Sequence, residues 1–244
     1  MALLIDFLLR LCLGMAAAMA LVPHSQVSSG YFRNHLYVVL GLATLAALLS
    51  PSALPAALWW AAGVAVVSYL GAVCWLYERP VLGKAALWIA AGLSTAGLIL
   101  ATAKPASGVL NSIYPISSAM LLGTVMAAML LGHWYLNAPG MKLEPLQKLL
   151  KYITLALFIH AVVCATGLAA EYRTQEVLPS SWWLFVVLRW TCLVGIGFLT
   201  YMTWQTLKIP NTQSATGILY VAVIGAFTGE IASLVLSAES TFPI

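Results

Sequence analysis

The fold follows from two stretches of similar sequence, LCLGMAAAMALVPH at residues 11–24 and MLLGTVMAAMLLGH at residues 120–133. Neither stretch contains Asp, Glu, Lys or Arg, and both consist mainly of small and aliphatic residues. A segment of about 20 mainly apolar residues is long enough to cross the hydrocarbon core of a bilayer as an α-helix. Together with its apolar flanks, each stretch therefore predicts one transmembrane helix.

The whole chain has the composition of a membrane protein. Hydrophobic residues make up 62% of its 244 residues and charged residues only 7%, against about 25% charged in a soluble domain. Apolar side chains on this scale can face lipid, where helices satisfy the backbone hydrogen bonds internally. The net charge of +4 is small and its residues are scattered, so we exclude nucleic-acid binding. The four cysteines form no close pair and predict neither a disulfide framework nor a thiolate metal site.

The length criterion, applied along the chain, predicts an all-α polytopic bundle of about eight transmembrane helices. Turn-forming residues such as Pro, Gly and Asn separate the apolar segments. In residues 141–151, leucines and charged residues instead alternate with helical periodicity. This pattern predicts an interfacial amphipathic helix. The predicted spans are 3–22, 31–50, 56–76, 85–102, 116–136, 150–170, 182–206 and 215–237.

Basic residues are concentrated on one side of the predicted bundle. The opposite side carries only Lys104 and Arg173, so the positive-inside rule predicts a bacterial inner-membrane protein with both termini on the non-cytoplasmic side. The basic residues near the connections after spans 1, 3, 5 and 7 are Arg33, Arg79, Lys84, Lys142, Lys148, Lys151 and Lys208. The aromatic residues expected in a belt at the outer interface are Trp59, Trp60, Tyr114, Tyr172, Trp182 and Trp183.

The two opening stretches also indicate an internal duplication, because they align without gaps and end in the same residue type. The histidine match is the most informative, since the chain has only four histidines. We predict a 4+4 tandem repeat of residues 1–110 and 111–244, the second unit including the interfacial segment. Repeats with an even number of helices are parallel and related by an axis along the membrane normal. The matched pairs include Gly14 with Gly123, Ala18 with Ala127, His24 with His133, Trp59-Trp60 with Trp182-Trp183, Leu87 with Leu219 and Gly97 with Gly229.

All four histidines are expected in the cytoplasmic half of the bundle. His24 and His133 would end the first helix of their repeats at one depth, with His35 near that level and His160 roughly 13 Å deeper. Neutral imidazole on a membrane helix is a common axial ligand of b-type haem, and a nearby cation such as Arg33 suits the propionates. We therefore predict cofactor binding by the four histidines and Arg33, with His24 and His133 as the haem-iron ligands. In the alternative interpretation, these histidines only hydrogen-bond carbonyl groups at helix ends.

Residues 132–140, GHWYLNAPG, form the densest polar and aromatic cluster in the chain. The imidazole of His133, the indole of Trp134 and the phenol of Tyr135 are candidates for lining a quinone head-group site. Equally, the stretch is typical of an interfacial anchor followed by a turn. Both interpretations stay open, although an anchoring role is favoured for Trp134.

A second polar group lies toward the other side of the membrane. Asp6 and Arg10 are one helical turn apart, and Arg189 and Glu230 lie at a similar predicted depth of roughly 10 Å. Isolated charges in hydrocarbon are costly, so we predict pairing of Asp6 with Arg10 and of Arg189 with Glu230. The group is then either a structural clamp between helices or a proton or ion path in which Glu230 titrates.

Two classes of function are compatible with these features. In the first, the chain is a membrane subunit of a bacterial redox complex that contacts quinone and binds b-type haem, with lipid, quinone and other subunits as partners. In its number of helices the chain resembles quinone-reactive membrane subunits of the polysulfide-reductase type. In the second class, it is a transporter, a channel or an anchoring subunit without cofactor. The sequence lacks the paired Gly/Pro-broken spans of many transporters and the motifs of hydrolases, so we favour a non-catalytic or quinone-reactive subunit.

Overall fold

The computed structural model describes residues 1–102, 108–138, 140–174, 180–209 and 211–244. Within these ranges the chain is an all-α bundle of eight α-helices, each long and apolar enough to span a membrane. The predicted fold class and helix count are confirmed. The helices are α1 (Ala2–Leu21), α2 (Ser29–Ala53), α3 (Leu58–Leu76), α4 (Pro80–Thr102), α5 (Leu110–Asn137), α6 (Glu144–Thr174), α7 (Ser180–Lys208) and α8 (Thr212–Glu239), with a 3₁₀ turn at Pro55–Ala57 before α3.

Helices α1 and α5 form the centre of the bundle. They pack against each other, α1 also packs on α2 and α4, and α5 also packs on α6 and α8. These two helices are the most buried, whereas the other six expose large apolar side chains such as Trp59, Val66, Phe158 and Val194. Exposed apolar faces of this kind are suited to lipid. Only the central pair is largely shielded from the bilayer.

The central helices approach each other most closely where Gly14 meets Gly123. A Cβ atom on either glycine would overlap main-chain atoms of the facing helix, so only glycine permits this separation. The sequence alignment pairs these same two residues. Residues on a two-fold axis contact their own equivalents, so the contact agrees with parallel repeats. The tandem duplication itself stays a prediction.

The connections α1–α2, α3–α4, α5–α6 and α7–α8 lie at one end of the bundle, which we call the basic end. There Trp134 Nε1 donates to Ser28 Oγ at 2.8 Å, joining α5 to the residue before α2. Lys84 Nζ donates to the carbonyls of Met19, Ala20 and Val22 and so caps the end of α1. At the opposite end lie Ala2 and Ile244. Among the basic residues expected at that end, Lys104 lies outside the described residues.

Helix α6 differs from the prediction because it contains most of the expected interfacial segment. It runs unbroken from Glu144 to Thr174, 31 residues, or about 46 Å at 1.5 Å per residue. No proline follows its first turn, and the buried face that begins with Leu146 and Leu149 continues through Ile153. Residues 144–151 are therefore the first two turns of α6 and not a separate helix. A helix of this length exceeds a hydrocarbon core of about 30 Å.

Two residues of the predicted aromatic belt face the protein interior. Tyr114 and Trp182 are 1% and 4% exposed. Tyr114 Oη donates to the carbonyl of Ile244 at 2.8 Å, and Trp182 Nε1 donates to Ser240 Oγ at 3.1 Å. Buried phenol and indole groups need such partners, and the residues after α8 supply them. The belt prediction is wrong for these two residues, whereas Trp59 is exposed as expected.

Candidate functional site

Arg10 is the centre of a buried charge network, which lies near the end of the bundle opposite the basic end. Its Nε and Nη2 atoms donate to the two carboxylate oxygens of Asp6 at 2.9 and 2.8 Å. Its Nη1 atom donates to Glu230 Oε1 at 2.7 Å. The predicted pairing of Asp6 with Arg10 is confirmed, and the two-oxygen geometry holds both side chains in fixed orientations.

Glu230 joins this pair to the second arginine. Its Oε2 atom accepts from Arg189 Nη2 at 3.4 Å, which confirms the other predicted pair. The contact between Glu230 and Arg10 is shorter, so the predicted two separate pairs form one chain from Asp6 to Arg189. Two carboxylates and two guanidinium groups sum to zero formal charge, which is what makes four buried ions tolerable in a membrane.

His160 belongs to this network, and its predicted place among the histidines of the cytoplasmic half is wrong. The side chain is fully buried, with Nδ1 at 2.8 Å from Ser117 Oγ and Nε2 in contact with Arg189 and at 3.3 Å from Cys164 Sγ. The physical reason is the early start of α6, which places position 160 about 24 Å along the helix, near its middle. Because both ring nitrogens have protein partners, this histidine has no free nitrogen for iron.

A cavity of about 320 Å³ reaches this network. The Asp6 side chain is 12% exposed, whereas those of Arg10, Glu230 and Arg189 are 5%, 3% and 2% exposed. Asp6 is the more exposed of the two charged residues that line the cavity, and it is the carboxylate of the network that reaches it. The polar residues of the lining are Asp6, Arg10, Asn111, Tyr114 and Ser237, and apolar ones include Leu3, Leu54, Ala101, Pro115 and Leu234.

The residues after α8 pack beside the cavity, and one of them lines it. Pro243 lines it directly, and the backbone N–H groups of Thr241 and Phe242 donate to the buried carboxylate of Glu171 at 3.1 and 2.8 Å. The carbonyl of Ile244 accepts from Tyr114. Glu171 lies just outside the predicted span 150–170 and carries no sequence signal for this role. Its role depends on chain segments far apart in sequence, for which no local pattern gives a signal.

Three of the four histidines lie near the basic end, as predicted. His24 is exposed after α1, and His133 is exposed on α5 with Nδ1 at 3.4 Å from the hydroxyl of Tyr220. His35 is buried, and its Nδ1 lies 2.6 Å from the carbonyl of Tyr31. The described residues contain no group of three or more His, Cys, Asp or Glu that could hold a metal ion. The assignment of His24 and His133 as iron ligands stays a prediction.

The aromatic cluster at residues 132–140 connects the two halves at the basic end. Besides the bond from Trp134 to Ser28, Tyr135 Oη donates to the carbonyl of Lys142. Pro139 lies outside the described residues, and Arg33 is half-buried on α2. Both hydrogen bonds lie within the protein, so the interfacial anchoring role of Trp134 stays a prediction. The roles of Tyr135 and Arg33 in cofactor binding stay predictions.

Comparison of the chain with protein-family models, with curated protein sequences and with solved structures finds no match. The fold and the site define the class as a polytopic α-helical membrane protein with an internal charge network. A function for such a protein follows from the chemistry of its own residues, since fold alone does not determine function.

Proposed function

We propose that the protein is the quinone-reactive membrane subunit of a bacterial redox complex, and that it oxidises quinol in the cavity beside Asp6. The observation that supports this function is a buried charge network that meets a cavity through one carboxylate. Small-molecule sites are typically apolar cavities with a few well-placed polar groups. A quinol combines an apolar ring and tail with two hydroxyl groups, so it matches this combination.

The chemistry assigned to Asp6 is proton acceptance. Oxidation of a quinol to a quinone releases two protons and two electrons. An ionised carboxylate has only acceptor sites, and Asp6 is the carboxylate of the network that lines the cavity. Arg10 fixes its orientation through two hydrogen bonds. Tyr114, also in the lining, places a phenol beside the same space.

The electrons would pass to a redox partner outside this chain. The connections between the described helices are short, so we assign the electron acceptor to another subunit. His24 and His133 both have exposed rings at the basic end. An imidazole nitrogen is the donor atom in axial ligation of b-type haem. A haem held there would supply one-electron transfer at the basic end, far from Asp6, so the partner and not this haem would take the electrons from quinol.

The proposed sidedness gives the reaction a direction. Under the positive-inside rule the basic end faces the cytoplasm of a bacterial inner membrane. Asp6 lies toward the opposite end, so protons from quinol would leave on the non-cytoplasmic side. Quinol oxidation at this site would then contribute to a proton gradient.

Binding of a quinone analogue tests this function. The probe is 2-heptyl-4-hydroxyquinoline N-oxide, whose fluorescence is quenched on binding, added to the purified full chain in lipid nanodiscs. Leu3→Trp should abolish quenching by filling the cavity, because Leu3 lines it. Leu4→Trp is the matched control, since Leu4 is equally exposed, at 41% against 40% for Leu3, but lies outside the lining. Equal quenching by both variants, or none by the wild type, would favour the cofactor-free transport or anchoring alternative.

A visible absorption spectrum tests the haem prediction separately. The dithionite-reduced protein should show an α-band that His133→Ala removes. His35→Ala tests the third histidine of this end, because a hydrogen bond between Nδ1 and a carbonyl leaves Nε2 able to bind iron. A colourless wild-type preparation would exclude haem and leave direct quinone contact.

A further inference from the structure

A second cavity of about 430 Å³ lies between α6 and α7 toward the basic end. These two helices are packed more loosely than the other consecutive helices of either half. Gly197 has no side chain to fill this position, and a Cβ there would come within 3.1 Å of the Leu157 side chain. The lining residues are Leu150, Lys151, Thr154, Gly197, Thr200, Tyr201 and Trp204.

The interior of this cleft is chemically apolar in spite of its two threonines. Thr154 Oγ1 donates to the carbonyl of Leu150 at 3.0 Å, and Thr200 Oγ1 donates to that of Ile196 at 2.7 Å. Both hydroxyl groups are thus used within their own helices. Methyl groups and aromatic rings form the remaining wall, and such a surface favours a hydrocarbon chain.

The Lys151 ammonium group places one positive charge at the cleft. Lys151 is exposed, and its Nζ lies 5.9 Å from the centre of the Trp204 ring, a cation–π arrangement that positions the ammonium group. The neighbouring Lys148 is paired with Glu144 at 2.7 Å. Among the described residues no carboxylate lies within ion-pair distance of Lys151. Its charge is therefore available to an external anion.

We propose that this cleft binds one anionic glycerophospholipid from the leaflet at the basic end. The phosphate lies at Lys151, and one acyl chain occupies the space between α6 and α7. Basic residues between transmembrane helices on the cytoplasmic side are suited to anionic head groups. The cationic choline of phosphatidylcholine would oppose Lys151, so the site selects against that lipid.

Native mass spectrometry of the delipidated full chain tests the head-group assignment. Phosphatidylglycerol and phosphatidylcholine with identical acyl chains are added separately. We expect preferential retention of phosphatidylglycerol, an about fivefold loss of affinity in Lys151→Gln, and retained affinity in Lys151→Arg. Arg79→Gln removes one exposed charge at the same end, away from the cleft, and should have no effect. Equal retention of both lipids, or equal losses in Lys151→Gln and Arg79→Gln, would overturn the assignment.

A second pair of variants tests the position of the acyl chain. Thr154→Phe places a ring in the cleft without changing any charge, and should lower phosphatidylglycerol retention severalfold. Leu155→Phe makes a similar addition at an adjacent exposed residue outside the lining. If the two variants retain the lipid equally, the acyl chain does not occupy the cleft and the proposal fails.

Discussion

Glu230→Gln is expected to destabilise the protein more than any other single neutralisation on α8. Glutamine keeps the shape of the side chain and removes the one carboxylate that contacts both arginines. The formal charge of the network then changes from zero to +1. Arg10 keeps its two hydrogen bonds to Asp6. The loss of stability therefore comes mainly from Arg189, whose contact with His160 supplies an imidazole and not a negative charge.

The size of the effect follows from burial. Arg189 is 2% exposed, and removing one partner of a buried ion pair costs about 3–5 kcal/mol. Glu230→Gln combined with Arg189→Gln restores a net charge of zero, so the double variant should lose less stability than the single one. Unfolding in mixed micelles, followed by tryptophan fluorescence, measures both, together with the Arg189→Gln single variant. Glu239→Gln is the control, since this exposed carboxylate also lies on α8, and its effect should stay within about 0.5 kcal/mol.

Two results would refute the reasoning about charge balance. One is a Glu230→Gln variant as stable as Glu239→Gln. The other is a double variant whose loss equals the sum of the losses in the two single variants, because additivity indicates residues that do not interact.

Two further predictions concern residues of other helices that contact α1. Gly123→Ala should cost at least about 1–3 kcal/mol by overpacking, because its Cβ would overlap the backbone of Gly14; Gly92→Ala, with open space around it, is the control in the same unfolding assay. Lys84→Gln should cost about 2 kcal/mol, since charged hydrogen bonds to the last carbonyls of α1 are lost. Faster amide hydrogen exchange near Met19 would accompany that loss, and unchanged exchange would contradict the capping role.

The sequence could predict the helices and the charged pairs because both depend on local properties. Helix number follows from the length of apolar segments, and the depth of Arg10 or Glu230 follows from counting residues along a helix. The network around His160 could not be predicted in this way. Its assembly depends on where α6 begins and how it is rotated, and both are set by packing of Leu146 and Leu149 in the bundle. The inward position of Tyr114 depends likewise on residues after α8.

The charge network is also asymmetric in a way that bears on the predicted duplication. In the alignment that pairs Gly14 with Gly123, Arg10 corresponds to Ala119, and in the alignment that pairs Gly97 with Gly229, Glu230 corresponds to Leu98. Each ion thus has an apolar counterpart in the other half. The network forms only because α1 of one half, with Arg10, packs near α8 of the other, with Glu230. If the halves share an ancestor, their divergence produced a single site at their interface, and neither half contains that site alone.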